Sequence, residues 1–396
     1  MQPTSVLATI TGRDRTGVTA AFFAALAAHD VDVRDVEQIV IRDRLILAVL
    51  LDLRGDPAAL RSSVTKTAQA LGMECEVVIA AGDIMSERTQ GRSRSHVIVL
   101  GRPLRPGALS HIAQRIADAG GNIESVTQLS TEPVSSAELI VRSDDPAVLR
   151  AVLVQAAEDV GVDIAVEQAG LRRCAKRLVV LDADSTLIRE QVIDRLAGRA
   201  GVSEQVAAIT EQAVAGQLDF SESLRTRVAL LAGLPVAEVE SVRAALRLTP
   251  GARTFVRTLR RMGYKIGVVS GGFTVFTERF VAELGLDFAA ANELEIVNGF
   301  VTGKLLGAII DRAARSEALE RFAARFGVPL TQTVAVGEGG DDIDMLEAAG
   351  LGIAVNAKSA LRAAADTSMN VPFLDTVLFV LGIFSEQIDE AEEDSR

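Results

Sequence analysis

Tryptophan is absent from this 396-residue chain, tyrosine occurs once, and there are two cysteines and three histidines. With so few flat rings, little is available to build a platform that stacks nucleic-acid bases. Positive charge is also short: 41 lysines and arginines face 53 aspartates and glutamates, a net charge of −12. That balance argues against a nucleic-acid partner gripped through its phosphates, although a small anion needs only one local positive site. Cys75 and Cys174 are far apart and in no metal-type spacing, which argues against a disulfide framework and suits a reducing cytosol. Long apolar runs are missing too. The best one, LILAVLL at Leu45 to Leu51, is far too short for a bilayer and stops at Asp52. The N-terminus MQPTSVLATITGRD lacks the basic start and apolar core of a secretion signal. A soluble, cytoplasmic protein is expected. Core-forming material is plentiful, with 48% hydrophobic residues and a mean hydropathy of +0.27, and the length calls for more than one domain.

The first part of the chain contains a repeat. Ser5 to Ile10 reads as a strand, TGRDRTG as a turn and VTAAFFAALAAHD as a helix. The runs VDVRDVEQIVI and RLILAVLLDL read as strands, Asp56-Pro57 opens a second helix, and ECEVVIA closes a β-α-β-β-α-β unit. The order recurs as HVIVLG, the turn RPLRPG, the helix ALSHIAQRIADAG, NIESVTQLS, SSAELIVRS, a helix from Asp145-Pro146, and VDIAVEQA. Gly12 and Gly101 correspond, as do Gly17 and Gly107, with the second turn one residue longer. The polar stretch GDIMSERTQGRSRS between the copies reads as a linker. Each copy is an α+β, ferredoxin-like candidate. From Cys174 onward, strands (RLVVLDAD, KIGVVSGG, FAAANELEIV, TVAVGEGG) alternate with helices, the pattern of an α/β fold with a parallel sheet. The stretch from Glu190 to Pro250 has no core strand and reads as an inserted helical cap.

The polar constellations follow strand ends, where open α/β sheets bind ligands. Asp182 and Asp184, two apart after LVVL, would face one way along an ideal strand. Such a pair could hold Mg²⁺, or one carboxylate could attack phosphorus while the other handles a proton. Solvated loop aspartates are the plainer alternative. Ser270 and Gly271 in VVSGGF offer a hydroxyl and backbone N–H groups to a phosphate, although Ser-Gly-Gly alone is usually just a turn. Arg315, taken alone, reads as a solvated surface charge. Glu338, Asp341 and Asp342 in VAVGEGGDDIDM form an acidic cluster that needs a cation or positive side chains nearby.

Together these motifs resemble the phosphoserine phosphatase branch of the haloacid dehalogenase superfamily over most of Arg177 to Ile383: DADSTLI, SGGF and the segment DFSESLRTRVALLAGLP. The GRDRTGV turn resembles that of ACT domains, modules that pair their sheets and bind amino acids. The resemblances imply a Rossmann-like core in residues 174–396 with a cap at about 190–250, behind ACT domains at 1–82 and 95–172. They imply Asp182 as nucleophile and Asp184 as acid/base. Asp182, Asp184 and Glu338 would hold Mg²⁺, and Gln191, Phe220, Arg227, Ser270, Gly271, Arg315 and Asp341 would bind substrate. Gly17 and Gly107 would contact an amino-acid effector, and a homodimer is implied. Gly17 and Gly107 are read equally well as turn residues that need a positive φ.

The chain departs from the family pattern at several contacting positions. Gln191 stands where a Glu binds the substrate ammonium, Val214 replaces a Met, and Arg315 replaces a Lys. The last motif reads Gly-Glu-Gly-Gly-Asp-Asp rather than Gly-Asp-Gly-Ala-Asn-Asp, so Glu338 and Asp341 are substitutions. Arg for Lys exchanges a point charge for a planar fork. Three readings follow: an Mg²⁺-dependent phosphatase of O-phospho-L-serine, the last step of serine biosynthesis; the same chemistry on a phosphoester lacking the ammonium; and a catalytically weak amino-acid sensor built on the ACT pair.

Overall fold

The computed structural model describes residues 3–80, 93–170, 175–215, 217–357 and 359–388. Residues 82–92 of the expected linker, Cys174 and the side chain of Val214 lie outside them. The chain divides into two compact units, Met1–Gly91 and Arg92–Arg396.

In the first unit, β1 (Thr4–Arg13), α1 (Val18–Ala27), β2 (Val31–Ile41), β3 (Arg44–Leu53), α2 (Pro57–Ala70) and β4 (Glu74–Ala80) follow the expected order. The antiparallel sheet runs β2-β3-β1-β4. Alternation along β1 and β3 turns Val6, Ala8, Ile10, Leu47, Val49 and Leu51 into one core with Phe22, Leu60 and Val64 of the helices. Asp56 caps α2 by accepting the Ala58 and Ala59 N–H groups, with Pro57 behind it at a position that needs no donor. Gly17 precedes α1 at φ +93°, a conformation that favours glycine.

The second unit opens with β5 (Ser93–Gly101), α3 (Pro106–Asp118), β6 (Asn122–Ser130), β7 (Ser135–Ser143), α4 (Pro146–Val160) and β8 (Asp163–Gln168). Asp145 caps α4 as Asp56 caps α2. The two glycine turns are not equivalent, however. Pro106 starts α3, so Gly107 lies inside its first turn and has no positive φ.

A parallel α/β arrangement follows: β9 (Leu178–Leu181), the cap helices α5 (Val192–Ala200), α6 (Ser203–Val214), α7 (Phe220–Ala229) and α8 (Val236–Ala245), then α9 (Ala252–Arg261) and β10 (Lys265–Phe273). After these come α10 (Thr274–Leu284), β11 (Phe288–Val297), β12 (Phe300–Leu306), α11 (Arg312–Phe326), β13 (Thr333–Gly337), α12 (Ile343–Ala348), β14 (Gly352–Val355), α13 (Ser359–Ala364) and β15 (Thr367–Met369). All four residues of β9 are buried, and the strand is parallel to both β10 and β13. An apolar run without alternation is what a strand covered on both faces requires.

β12, β14 and β15 were not foreseen from the sequence pattern. β14 and β15 are four and three residues long, and Gly303 at φ +83° interrupts β12. Through β15 the second repeat joins the parallel sheet, giving one eleven-stranded order, β12-β11-β10-β9-β13-β14-β15-β8-β5-β7-β6. The joint is antiparallel at Thr367 and Ala165. The Asp163 carboxylate accepts the Asn370 N–H at 2.7 Å, its side-chain amide at 2.8 Å and the Val371 N–H at 3.1 Å. Ile98, Leu100, Leu129 and Val134, on the face of the repeat away from α3 and α4, share a core with Val377, Leu378 and Val380.

Candidate active site

The site lies at the C-terminal ends of β9, β10 and β13. β9 stops at Leu181, so Asp182 and Asp184 are not two residues of one strand face, as the spacing had implied. The backbone turns at once. The Leu187 N–H reaches back to the Asp182 carbonyl at 3.3 Å, the Ile188 N–H to the Ala183 carbonyl at 2.9 Å, and Ser185 has φ +60°. The turn separates the two carboxylates into different surroundings. Asp182 is buried, and its Oδ1 accepts Arg315 Nη1 at 3.0 Å. Asp184 is half-buried, and its Oδ2 accepts the Val192 N–H at 3.1 Å.

Arg315, on α11, is buried rather than a surface charge, with 6% of its surface exposed. Besides Asp182, its Nη1 bonds the Asp342 carboxylate. The other oxygen of Asp342 accepts the Glu338 N–H at 3.1 Å and the Gly339 N–H at 3.0 Å, which fixes the loop after β13. Asp342 is therefore the anchor of that loop. Its place in the acidic run was legible, but its partner, 27 residues away, was not.

Burial raises the Asp182 carboxyl well above the usual range. The charge of Asp342 adds to this, Arg315 opposes it, and Asp184 and Glu338 push it up further. Burial also lifts Asp184 to about 7, against the lowering effects of the Val192 N–H and Arg315. Burial alone would lower the Arg315 guanidinium, but Asp342 and Asp182 outweigh that and raise it, so it stays cationic. Asp341 is raised by burial, with Arg315, Arg227 and Arg312 pulling the other way.

Ser270 is fully buried, and its Oγ accepts the Gly272 N–H at 2.9 Å. A Cβ at Gly271 would come within 2.6 Å of Arg315 Nη2 and 2.9 Å of Phe220 Cζ, so this loop needs a residue without a side chain. That approach also brings Phe220, at the start of α7, from the cap to the core. Buried Asn292 on β11 holds the loop by donating to the Gly271 carbonyl at 2.8 Å and accepting the Ile310 N–H at 2.8 Å. No sequence feature had singled it out. Arg227, on the same cap helix as Phe220, bonds the Ser223 carbonyl and Thr210 Oγ1 and feels the charges of Asp194 and Asp341. Gln191 Nε2 donates to Ser185 Oγ at 2.9 Å and to Glu338 Oε1 at 3.1 Å. Glu190 turns elsewhere, accepting the Arg247 N–H and Arg195, and so does not replace Gln191. Gly107, in the first turn of α3, is not part of this cluster, and Gly17 belongs to the other unit.

Among the described residues, no three His, Cys, Asp or Glu side chains converge into a metal-holding group. The expected trio of Asp182, Asp184 and Glu338 is not gathered into such a group, and one oxygen of Asp184 accepts the Val192 N–H. Asp182 and Glu338 remain, close enough to raise the proton affinity of Asp182. Two hard oxygen donors suit Mg²⁺, which is usually held by one or two carboxylates with phosphate and water completing its shell.

Comparison with known proteins is consistent with this arrangement. The haloacid dehalogenase-like hydrolase family matches residues 176–350, and ACT domain families match residues 4–78 and 93–167. The phosphoserine phosphatase of Streptomyces coelicolor is 50% identical over 98% of this chain and 94% of its own length. That of Mycobacterium tuberculosis is 49% identical over 98% and 95%. A solved phosphoserine phosphatase with a phospho-aspartyl intermediate analogue is 41% identical, with a TM-score of 0.50 over 52% of this chain and 98% of that one.

Proposed function

The chain belongs to the phosphoserine phosphatases among the haloacid dehalogenase-like hydrolases, and from that premise we propose that it hydrolyses O-phospho-L-serine to serine and phosphate at this cleft. The observation that carries the reading is the pair Asp182 and Asp184, one held by Arg315 and the other raised to about 7 beside it. A carboxylate oxygen of Asp182 attacks phosphorus. The P–O bond to the seryl oxygen breaks, and Asp184 supplies that oxygen with its proton. Asp184, now ionised, takes a proton from the water that attacks the aspartyl-phosphate, releasing phosphate and restoring both groups. Arg315, Ser270 and the N–H groups of the Gly271 loop would hold the phosphoryl oxygens. Phe220 and Arg227 would hold the serine end, with Arg227 pairing the substrate carboxylate. Mg²⁺ would be held by Asp182 and Glu338 and would offset charge between the nucleophile and the phosphate dianion.

Phosphate release from O-phospho-L-serine with and without Mg²⁺ tests the reading, with Asp182→Asn as control. Mg²⁺-dependent release abolished by the substitution is expected; no release from the unaltered chain would sink it. A second reading, a phosphoester lacking the ammonium, is favoured by Gln191, whose N–H groups point at Ser185 and Glu338. A preference for phosphoserine over its deaminated analogue would exclude it. The ACT domains support amino-acid regulation and a homodimer. No helix among the described residues is long and apolar enough to cross a membrane.

A further inference from the structure

Gln191 occupies a junction of three elements. It is the residue before the first helical position of α5, so it stands where the cap leaves the core. Its amide reaches Ser185 in the nucleophile loop and Glu338 in the loop after β13, 147 residues away. A carboxylate oxygen of Glu338 accepts this contact, so the amide turns its nitrogen toward it. Both N–H groups are then engaged by the protein. The contact with Ser185 also braces a residue held at φ +60°, a region that non-glycine residues rarely occupy.

We infer that Gln191 is a positioning residue for Glu338, and that the substitutions at these two positions form a matched pair. The argument rests on chain length and charge. Glutamate is one methylene longer than the aspartate of the related pattern, and its carboxylate meets residue 191 at 3.1 Å. A glutamate at 191 would set two acceptor-only, like-charged groups against each other there, whereas a neutral amide donor turns the contact into a hydrogen bond. Substrate recognition changes as a consequence. With both N–H groups turned to the protein, only the carbonyl oxygen of Gln191 is left for an ammonium. The serine end is then read by a neutral acceptor in place of a carboxylate. The inference deepens the phosphoserine phosphatase reading and rests on it for the metal-holding role of Glu338.

A double-substitution cycle with Gln191→Ala and Glu338→Asp tests it, with Mg²⁺ binding measured calorimetrically in the absence of any substrate. Losing the hydrogen bond frees the Glu338 side chain and should weaken Mg²⁺ binding about three- to tenfold. In the Glu338→Asp background, where the shorter side chain cannot reach, Gln191→Ala should cost less than about twofold. Equal losses in the two backgrounds would mark Gln191 as merely structural and overturn the inference. A second arm needs neither metal nor substrate. Gln191→Glu should lower the melting temperature of the metal-free protein, and adding Glu338→Gln should restore it. A Gln191→Glu protein that melts at or above the unaltered chain refutes the pairing. If the unaltered chain passes both arms yet releases no phosphate from phosphoserine, the catalytic reading fails and the pairing stands. If it binds no Mg²⁺, the melting arm alone decides.

Discussion

Replacing Arg315 by Met would probe what holds the cleft together. The guanidinium is buried, with Nη1 3.0 Å from Asp182 Oδ1 and bonded to Asp342 as well. Methionine keeps much of the stem and deletes the charge, which strands two buried carboxylates. Removing one member of a buried ion pair typically costs about 3–5 kcal/mol. Protonation sets a ceiling on that cost, and the ceiling gives the test its pH dependence. Burial already raises the Asp182 carboxyl in the folded state, and loss of Arg315 raises it further. A carboxyl with a raised folded value holds its proton more tightly when native. Its unfavourable contribution is therefore absent below the unfolded value and grows as pH rises toward the folded one. Metal-free Arg315→Met should accordingly melt about 5–10 °C below the unaltered chain at neutral to alkaline pH. The gap should narrow near pH ~5, as the stranded Asp182 carboxyl takes up its proton. Adding Asp342→Asn should recover part of the loss at high pH, because the asparagine carbonyl can still accept the Glu338 and Gly339 N–H groups. Equal melting temperatures at alkaline pH, or a gap that widens in acid, would refute this account of the cluster.

Three further outcomes are expected. Asp184, raised to about 7, must carry its proton to serve the seryl oxygen, so kcat/KM should fall as pH rises through about 7. Asp184→Asn should remove that limb and lower kcat by about 10²–10⁴; an unchanged pH profile would exclude Asp184 as the acid. Gly271→Ala forces a Cβ against Arg315 and Phe220 and should lower kcat/KM for phosphoserine by about tenfold or more in steady-state assays. Asp163→Ala strips the acceptor from the Asn370 and Val371 N–H groups and should cost about 2 kcal/mol in thermal melting. Faster amide exchange in residues 367–371 would localise that loss to the sheet joint.

Some of this protein was settled by its sequence alone. The repeated β-α-β-β-α-β order, the Asp-Pro helix starts, the alternation of strand and helix after residue 174 and the strandless cap are local in origin. They follow from the period of apolar residues and from the caps and turns that punctuate them, and a single segment carries each signal. The short motifs DADST and SGG likewise place polar groups at strand ends without reference to the rest of the fold. Only the tertiary structure decided how those groups are used. Arg315, read alone as a surface charge, is buried against Asp182, 133 residues away, and Asp342, 27 residues away. Asn292 braces the Gly271 loop across two strands, and Asp163 pins the second repeat to a segment more than 200 residues later. Gln191 looked like a lost ammonium ligand until Glu338 appeared beside it. A pairing of charge or hydrogen bond is a property of two positions, and when the chain between them is long, no local period or motif records it.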